Sequence, residues 1–299
     1  MEVFEPGRVA RHSILAGRAS LFDMADRAPT ASSAIGRFSA AARSTPSAQT
    51  TVQAEHMMQT AQGRRVAVTG AASGIGAATA HKLMADGWRV ACLDRNIEGA
   101  KATAGSSGIA IPIDVADEAS TAAAFATVRD AFGGLDGLVT AAGVIETTPF
   151  LDTTVEQFRR LFDINVIGSF LSVREGAKLM RPGSRICLVA SISSYTGGGY
   201  VAAGAYATSK GAVLTMMKSC ARALGDRGIG VNAVAPGFID TPFVASAMND
   251  PVRRAQVVAA VGKVGKAEQI AEAATWLISP NADFVHGATL IVDGGILMH

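Results

Sequence analysis

Val66-Ala67-Val68-Thr69-Gly70-Ala71-Ala72-Ser73-Gly74-Ile75-Gly76 is the stretch whose reading decides the fold. Its β-branched opening reads as a buried strand. Glycines follow, and the Ala-rich amphipathic segment from Ala77 to Asp86 reads as a helix. Strand, glycine turn and helix make the first half of a βαβ nucleotide-binding unit. Gly70 permits the tight turn. Gly74 and Gly76 leave room for a pyrophosphate and for close helix packing. The helix N-terminus aims unpaired N–H groups and a partial positive charge at that phosphate. No Gly-Lys-Ser/Thr follows, which argues against a Walker-type loop. A turn before a packed helix needs no ligand, so the next strand matters. Arg89-Val90-Ala91-Cys92-Leu93-Asp94 ends in an acid about 20 residues past the loop, where a ribose-binding carboxylate is expected.

Beyond residue 64 strands and helices alternate. Strands are expected at Val66–Thr69, Arg89–Leu93, Ile109–Ile113, Leu135–Thr140, Arg185–Ala190, Ile229–Ala235 and Thr289–Val292. Helices are expected at Ile75–Asp86, Ile97–Thr103, Glu118–Phe132, Thr154–Met180, Ala205–Leu224 and Glu268–Ile278, with mixed loop and short helix over 238–262. This alternation predicts an α/β fold, a single-domain doubly wound parallel sheet (Rossmann-like) with helices on both faces. The domain is expected over residues 63–299. Residues 1–62 read as a disordered extension. From Ala28 to Ala54 they are rich in Ala, Ser and Thr, lack Asp and Glu, and bury little. An organelle transit peptide and a start at Met57 or Met58 are the alternatives. Glu2 and Glu5 count against the first, and there is no secretory apolar region.

The 299 residues are 49% hydrophobic, enough for a substantial core. The formal net charge is +2, with no basic stripe, so no nucleic-acid partner is expected. No apolar run approaches the ~18 residues of a spanning helix, so no membrane partner is expected. Cys92, Cys187 and Cys220 lie far apart in apolar segments, without metal spacing. They read as buried free thiols in a reducing compartment, which makes the cytoplasm the expected location.

Thr69-Gly70-Ala71-Ala72-Ser73-Gly74-Ile75-Gly76 resembles the Thr-Gly-x-x-x-Gly-x-Gly loop of the classical short-chain dehydrogenase/reductase family. The resemblance runs from about Arg64 to the C-terminus and rests on several spaced motifs. It implies an NAD(P)-dependent oxidoreductase acting on CH–OH groups, and a homotetramer. It places the cofactor on Gly70, Ser73, Gly74, Ile75 and Gly76. Asp94 would take the ribose hydroxyls and repel a 2′-phosphate, favouring NAD. Arg95 is the competing feature, because an Arg there can pair with that phosphate. Asp114 and Val115 would lie against the adenine, although Asp114 is as readily a helix cap. Thr140-Ala141-Ala142-Gly143 stands where the family has Asn-Asn-Ala-Gly. Ala142 and Gly143 keep the backbone approach to the cofactor. Pro236, Gly237 and Ile239 would lie near the nicotinamide, with Thr241 on its carboxamide or phosphate. Asp293-Gly294-Gly295 would end at a subunit interface.

The reactive element is Tyr206-Ala207-Thr208-Ser209-Lys210, matching the family's Tyr-x-x-x-Lys. Residues four apart share a helix face. A phenol near pKa ~10 is a poor base at neutral pH, and the Lys210 ammonium is expected to lower it. Tyr206 would then take the proton of a secondary alcohol as hydride leaves, with Lys210 also holding the ribose. Asn165, unfavourable in a helix interior, predicts a local break. The matching family residue holds a water connected to the Lys. The family also places a Ser at the end of strand five. Ser191, Ser193 and Ser194 compete. Counting back from Tyr206 gives Ser193, and counting forward from Arg185 gives Ser191. Strand rise is fixed while the following loop absorbs insertions, so Ser191 is expected, with Ser193 second. No metal is expected. The apolar Phe238, Phe243, Val244 and Met248, with Arg253 and Arg254 outward, suggest an uncharged or apolar alcohol or ketone substrate. The rival from another class is a non-catalytic dinucleotide-binding scaffold on the same fold.

Overall fold

The computed structural model describes residues 63–199, 204–244, 251–252, 255, 258–259, 262 and 264–298. The expected tail and Met248, Arg253 and Arg254 lie outside these residues. Strand β1 (Arg65–Thr69) leads into helix α1 (Gly74–Ala85), and β2 (Arg89–Asp94) returns parallel to β1. Then come α2 (Ile97–Ala104), β3 (Gly108–Pro112), α3 (Glu118–Phe132) and β4 (Leu135–Thr140). Helices α4 (Val155–Leu161) and α5 (Gly168–Lys178) precede β5 (Met180–Val189). Helix α6 (Gly204–Gly225), β6 (Gly230–Pro236), β7 (Ile239–Asp240), β8 (Gly265–Lys266), α7 (Ala267–Ile278) and β9 (Thr289–Val292) complete the path.

Seven strands form one parallel sheet in the order β3-β2-β1-β4-β5-β6-β9. The order reverses direction between β1 and β4, and at such a point two loops diverge and leave a crevice. Period-two alternation builds the core on both faces. Leu138, Ile186 and Leu188 face the layer containing Phe125, Val128, Val213 and Met217. Val139, Cys187 and Val189 face Leu83, Trp88, Ile270 and Leu277. Both faces are therefore apolar, as a covered parallel sheet requires. At the sheet's other end Asp136, 3% exposed, accepts hydrogen bonds from the Arg65 N–H and guanidinium and from Arg181. These bonds tie the starts of β1, β4 and β5 together.

Helix starts follow their caps. Asn96 accepts from the Gly99 N–H and Asp117 from the Ser120 N–H. Thr154 and Gln157 form a reciprocal capping box for α4. Asp117, not Asp114, thus caps α3. Asp114 instead turns its own chain, its Oδ1 accepting from the Ala116 N–H at 3.0 Å.

Three local features go beyond the sequence reading. The helical stretch expected over Thr154–Met180 is three pieces, and the break expected at Asn165 is a π-helical turn over Phe162–Ile167. Met180 belongs to β5, which starts well before Arg185, since Met180 pairs with Leu135 across an irregularity in the ladder. The two-residue ladder β7–β8 was not expected at all. Its pairs, Ile239 with Gly265 and Asp240 with Lys266, are too short to leave a pattern in sequence. Among the described residues no helix is long and apolar enough to cross a membrane.

Candidate active site

A cleft of about 660 Å³ opens at the C-terminal ends of the strands. Every cofactor residue expected from the sequence lines it: Gly70, Ser73, Gly74, Ile75, Gly76, Asp94, Asp114, Val115, Ala142, Gly143, Tyr206, Lys210, Pro236, Gly237, Ile239 and Thr241. Ser191 lines it as well, and so does Ser193. Asn165 does not. It is fully buried behind the wall.

The glycine loop is shaped by close approach. Gly70 has φ +72°, and a Cβ there would sit 2.6 Å from the Ala142 nitrogen. A Cβ on Gly76 would sit 2.1 Å from the Gly70 carbonyl oxygen. Neither position accepts a side chain without backbone movement. Ser73 is the N-cap of α1, yet its side chain makes no capping hydrogen bond, and the first turn carries no acid. The α1 N-terminus thus offers a cradle without Cβ atoms and without a built-in anion, which fits a pyrophosphate. Asp94 is held firmly beside it. Its Oδ2 accepts from the Ala72 N–H at 3.0 Å and its Oδ1 from the Asn96 N–H at 2.8 Å. Thr241, 9% exposed, faces Gly74 across the loop. These features together fit a nicotinamide dinucleotide.

The side chains expected to react come from α6 and from the segment just beyond β5. Tyr206, on α6, is 6% exposed and shares the cleft with Ser191, just beyond β5. Burial pushes its phenol up to about 12, and the Ser191 side chain opposes that rise. Lys210, one turn on and 5% exposed, donates to the Val189 carbonyl at 2.8 Å. Burial pulls its ammonium down to about 8. The expected lowering of Tyr206 by Lys210 is therefore not seen: desolvation dominates both groups, and it disfavours the charged form of each. The carbonyl at β5 is the atom that holds the Lys210 head.

Asn165 explains its π-helical turn. Its Oδ1 accepts from the Val144 N–H at 2.8 Å, and its Nδ2 donates to the Val144 carbonyl and to Ser209 Oγ, each at 3.0 Å. Ser209 in turn donates to the Tyr206 carbonyl at 2.7 Å. A Cβ on Gly143 would meet Asn165 Oδ1 at 3.1 Å and Lys210 Nζ at 3.5 Å. Asn165 thus braces the end of β4 against α6 from behind. One position the family fills with Asn is Thr140 here, and its buried Oγ1 has no hydrogen-bond partner.

The strand count behind Ser191 does not apply in the folded chain. β5 ends at Val189, and residues Ser193–Thr196 form a helical turn, so strand alternation does not reach the serines. Ser191 Oγ accepts from the Ser193 N–H at 3.1 Å, which fixes the hydroxyl near Tyr206. Ser194 Oγ is buried without a partner and lies off the cleft. Phe238, Phe243 and Val244 line the cleft as expected, and Ile145, Ile192, Thr196 and Ile296 join them. Ile296 left little signal. Its place depends on Asp293, whose carboxylate accepts from the Gly295 and Leu297 N–H groups and folds the chain back. Among the described residues no cluster of His, Cys, Asp or Glu is placed to hold a metal ion.

Comparison with known proteins agrees with this geometry. A family model described as Enoyl-(Acyl carrier protein) reductase matches residues 70–297. A sorbitol dehydrogenase of Cereibacter sphaeroides is 36% identical over 248 residues, covering 78% of this chain and 97% of the relative. A 2-(R)-hydroxypropyl-CoM dehydrogenase of Xanthobacter autotrophicus is 38% identical over 246 residues, covering 76% and 96%. The crystal structure of a dehydrogenase/reductase from Sinorhizobium meliloti 1021 superposes with a TM-score of 0.75 at 33% identity, covering 82% of this chain and all of that one. The chain belongs to the classical short-chain dehydrogenase/reductase family and is an oxidoreductase acting on CH–OH groups with a nicotinamide dinucleotide.

Proposed function

We propose that the protein is an NAD-dependent dehydrogenase interconverting a secondary alcohol and its ketone. The observation that carries this reading is that Ser191, Tyr206 and Lys210 line one cleft, with Tyr206 and Lys210 both buried and one helical turn apart. Ser191 donates to the substrate oxygen and holds it beside the phenol. Tyr206 takes the hydroxyl proton during oxidation and returns it during reduction. Lys210 holds the nicotinamide ribose, and the positive ring of the bound dinucleotide is what would offset the burial that keeps the phenol protonated. Asn165 keeps Val144 and α6 in register, and a water on it would connect to Lys210. The bound dinucleotide supplies the hydride acceptor and a positive ring. A scaffold on this fold would need no such arrangement of Tyr206, Ser191 and Lys210.

Asp94 supports NAD over NADP. Its carboxylate is fixed at the end of β2 and would repel a 2′-phosphate more strongly than the exposed Arg95 would attract it. NAD should bind at least about ten times more tightly than NADP, a difference of ~1.4 kcal/mol. Titration calorimetry measures this directly, and equal affinities would transfer the decision to Arg95. Turnover is tested by following the absorbance of reduced nicotinamide with a panel of alcohols. The family likeness also supports a homotetramer, and free cysteines support a cytoplasmic location.

A further inference from the structure

The cleft has two chemically different ends. The charged side chains on its described lining are Asp94, Arg95, Asp114 and Lys210. The first three follow β2 and β3, at the dinucleotide end. Lys210 is tied to the Val189 carbonyl. Past Tyr206 the described wall is Ile145, Ile192, Phe238, Phe243, Val244 and Ile296. Ile145 belongs both to the apolar cluster that contains Tyr206 and to the one that contains Phe238 and Ile296.

The nearest acid in sequence is turned away. Glu146, next to Ile145, accepts from the Thr147 N–H, the Thr148 N–H and the Thr148 hydroxyl through one oxygen, at 3.0, 3.2 and 2.9 Å. Besides Ser191 and Tyr206, the described hydroxyls at this end are Ser193 and Thr196. Thr196 already donates to the Gly198 carbonyl. The Phe243 ring lies 6.0 Å from the Tyr206 ring at 58°, and Phe243 is still 37% exposed. An aromatic face beside the phenol is thus left for something else to cover.

We propose that the substrate is an uncharged secondary alcohol with an apolar, ring-sized body, and that Phe243 is the residue that selects it. This rests on the alcohol dehydrogenase reading above. A carboxylate or phosphate on the substrate loses its water against a wall that, among the described residues, has no charged partner for it. A polyol buries several hydroxyls where, among the described residues, Ser193 and Thr196 are the further hydroxyls that could answer them. An apolar ring covers Phe243 and loses only unfavourable contact with water.

The test uses full-length protein with excess oxidised NAD, which cannot reduce a ketone, and two ketones that differ by one charge. Calorimetry should find cyclohexanone bound at least about a hundred times more tightly than 4-oxocyclohexanecarboxylate. Equal or tighter binding of the carboxylate overturns the proposal, and so does failure of cyclohexanone to bind. Phe243→Ala should weaken cyclohexanone at least about tenfold and acetone less than about threefold, since acetone reaches little of the ring. Phe243→Leu, which keeps an apolar side chain, should recover most of the loss. Equal weakening of both ketones removes Phe243 from the selecting role. Binding is read as heat and not as turnover. A protein that binds cyclohexanone but oxidises no alcohol therefore keeps this inference and loses the catalytic one.

Discussion

The dinucleotide end of the cleft is made of backbone, and the substrate end is made of side chains. At the first, Gly70 and Gly76 touch neighbouring main chain so closely that a single methyl group collides. At the second, Phe243 and Ile296 sit on segments that follow β6 and β9 and keep part of their surface open. The difference teaches how one fold keeps a constant cofactor and a changeable substrate. Main-chain shape tolerates almost no substitution, whereas an apolar side-chain wall tolerates many as long as volume is kept. The reacting groups stand where the two ends meet.

The sharpest blow falls at that junction. Tyr206→Phe should lower kcat about a thousandfold or more, while NAD affinity and melting temperature stay near wild type. Substantial turnover in this variant would mean that the junction binds without reacting. Next in size is a contrast between the two ends. Gly76→Ala should weaken NAD about a hundredfold or prevent folding, whereas Phe243→Ala should change NAD affinity less than about twofold. Comparable losses in both variants, by calorimetry, would erase the distinction between backbone and side-chain ends. Ser191→Ala should lower kcat about a hundredfold, and Ser193→Ala should do far less. If Ser193→Ala is the damaging change, the role of Ser191 is only structural. The smallest effect is expected from the N-terminal tail. Deleting residues 1–56 should leave turnover and melting temperature almost unchanged, and a fall of several degrees would show that both ends lean on the tail.

The same contrast explains what the sequence made legible. The strands at Leu135–Thr140 and Thr289–Val292 and the helix at Glu118–Phe132 were readable to the residue, because apolar runs, caps and glycine stops agree there. The glycine loop and Asp94 were readable because their chemistry depends on local spacing. The π-helical turn was foreshadowed only as an awkward Asn165. Its purpose, holding the Val144 backbone, lies 21 residues away in the chain. Strand β5 was misjudged at its start because Arg181, Pro182 and Gly183 look like a loop, yet pairing at Met180 carries the strand back to them. Ile296 joined the wall through a turn made by Asp293 that no periodicity announces.

Asp94 carries a consequence for any attempt to redesign cofactor choice. The carboxylate that would discriminate against the 2′-phosphate also anchors the glycine loop at Ala72 and the entry to α2 at Asn96. Preference and loop order are therefore one trait, inherited together. An exchange to a small neutral residue that welcomes NADP would also release two main-chain N–H groups. The redesigned enzyme would accept the new cofactor on a looser loop. A second substitution that ties Ala72 and Asn96 down again would then have to accompany such an exchange.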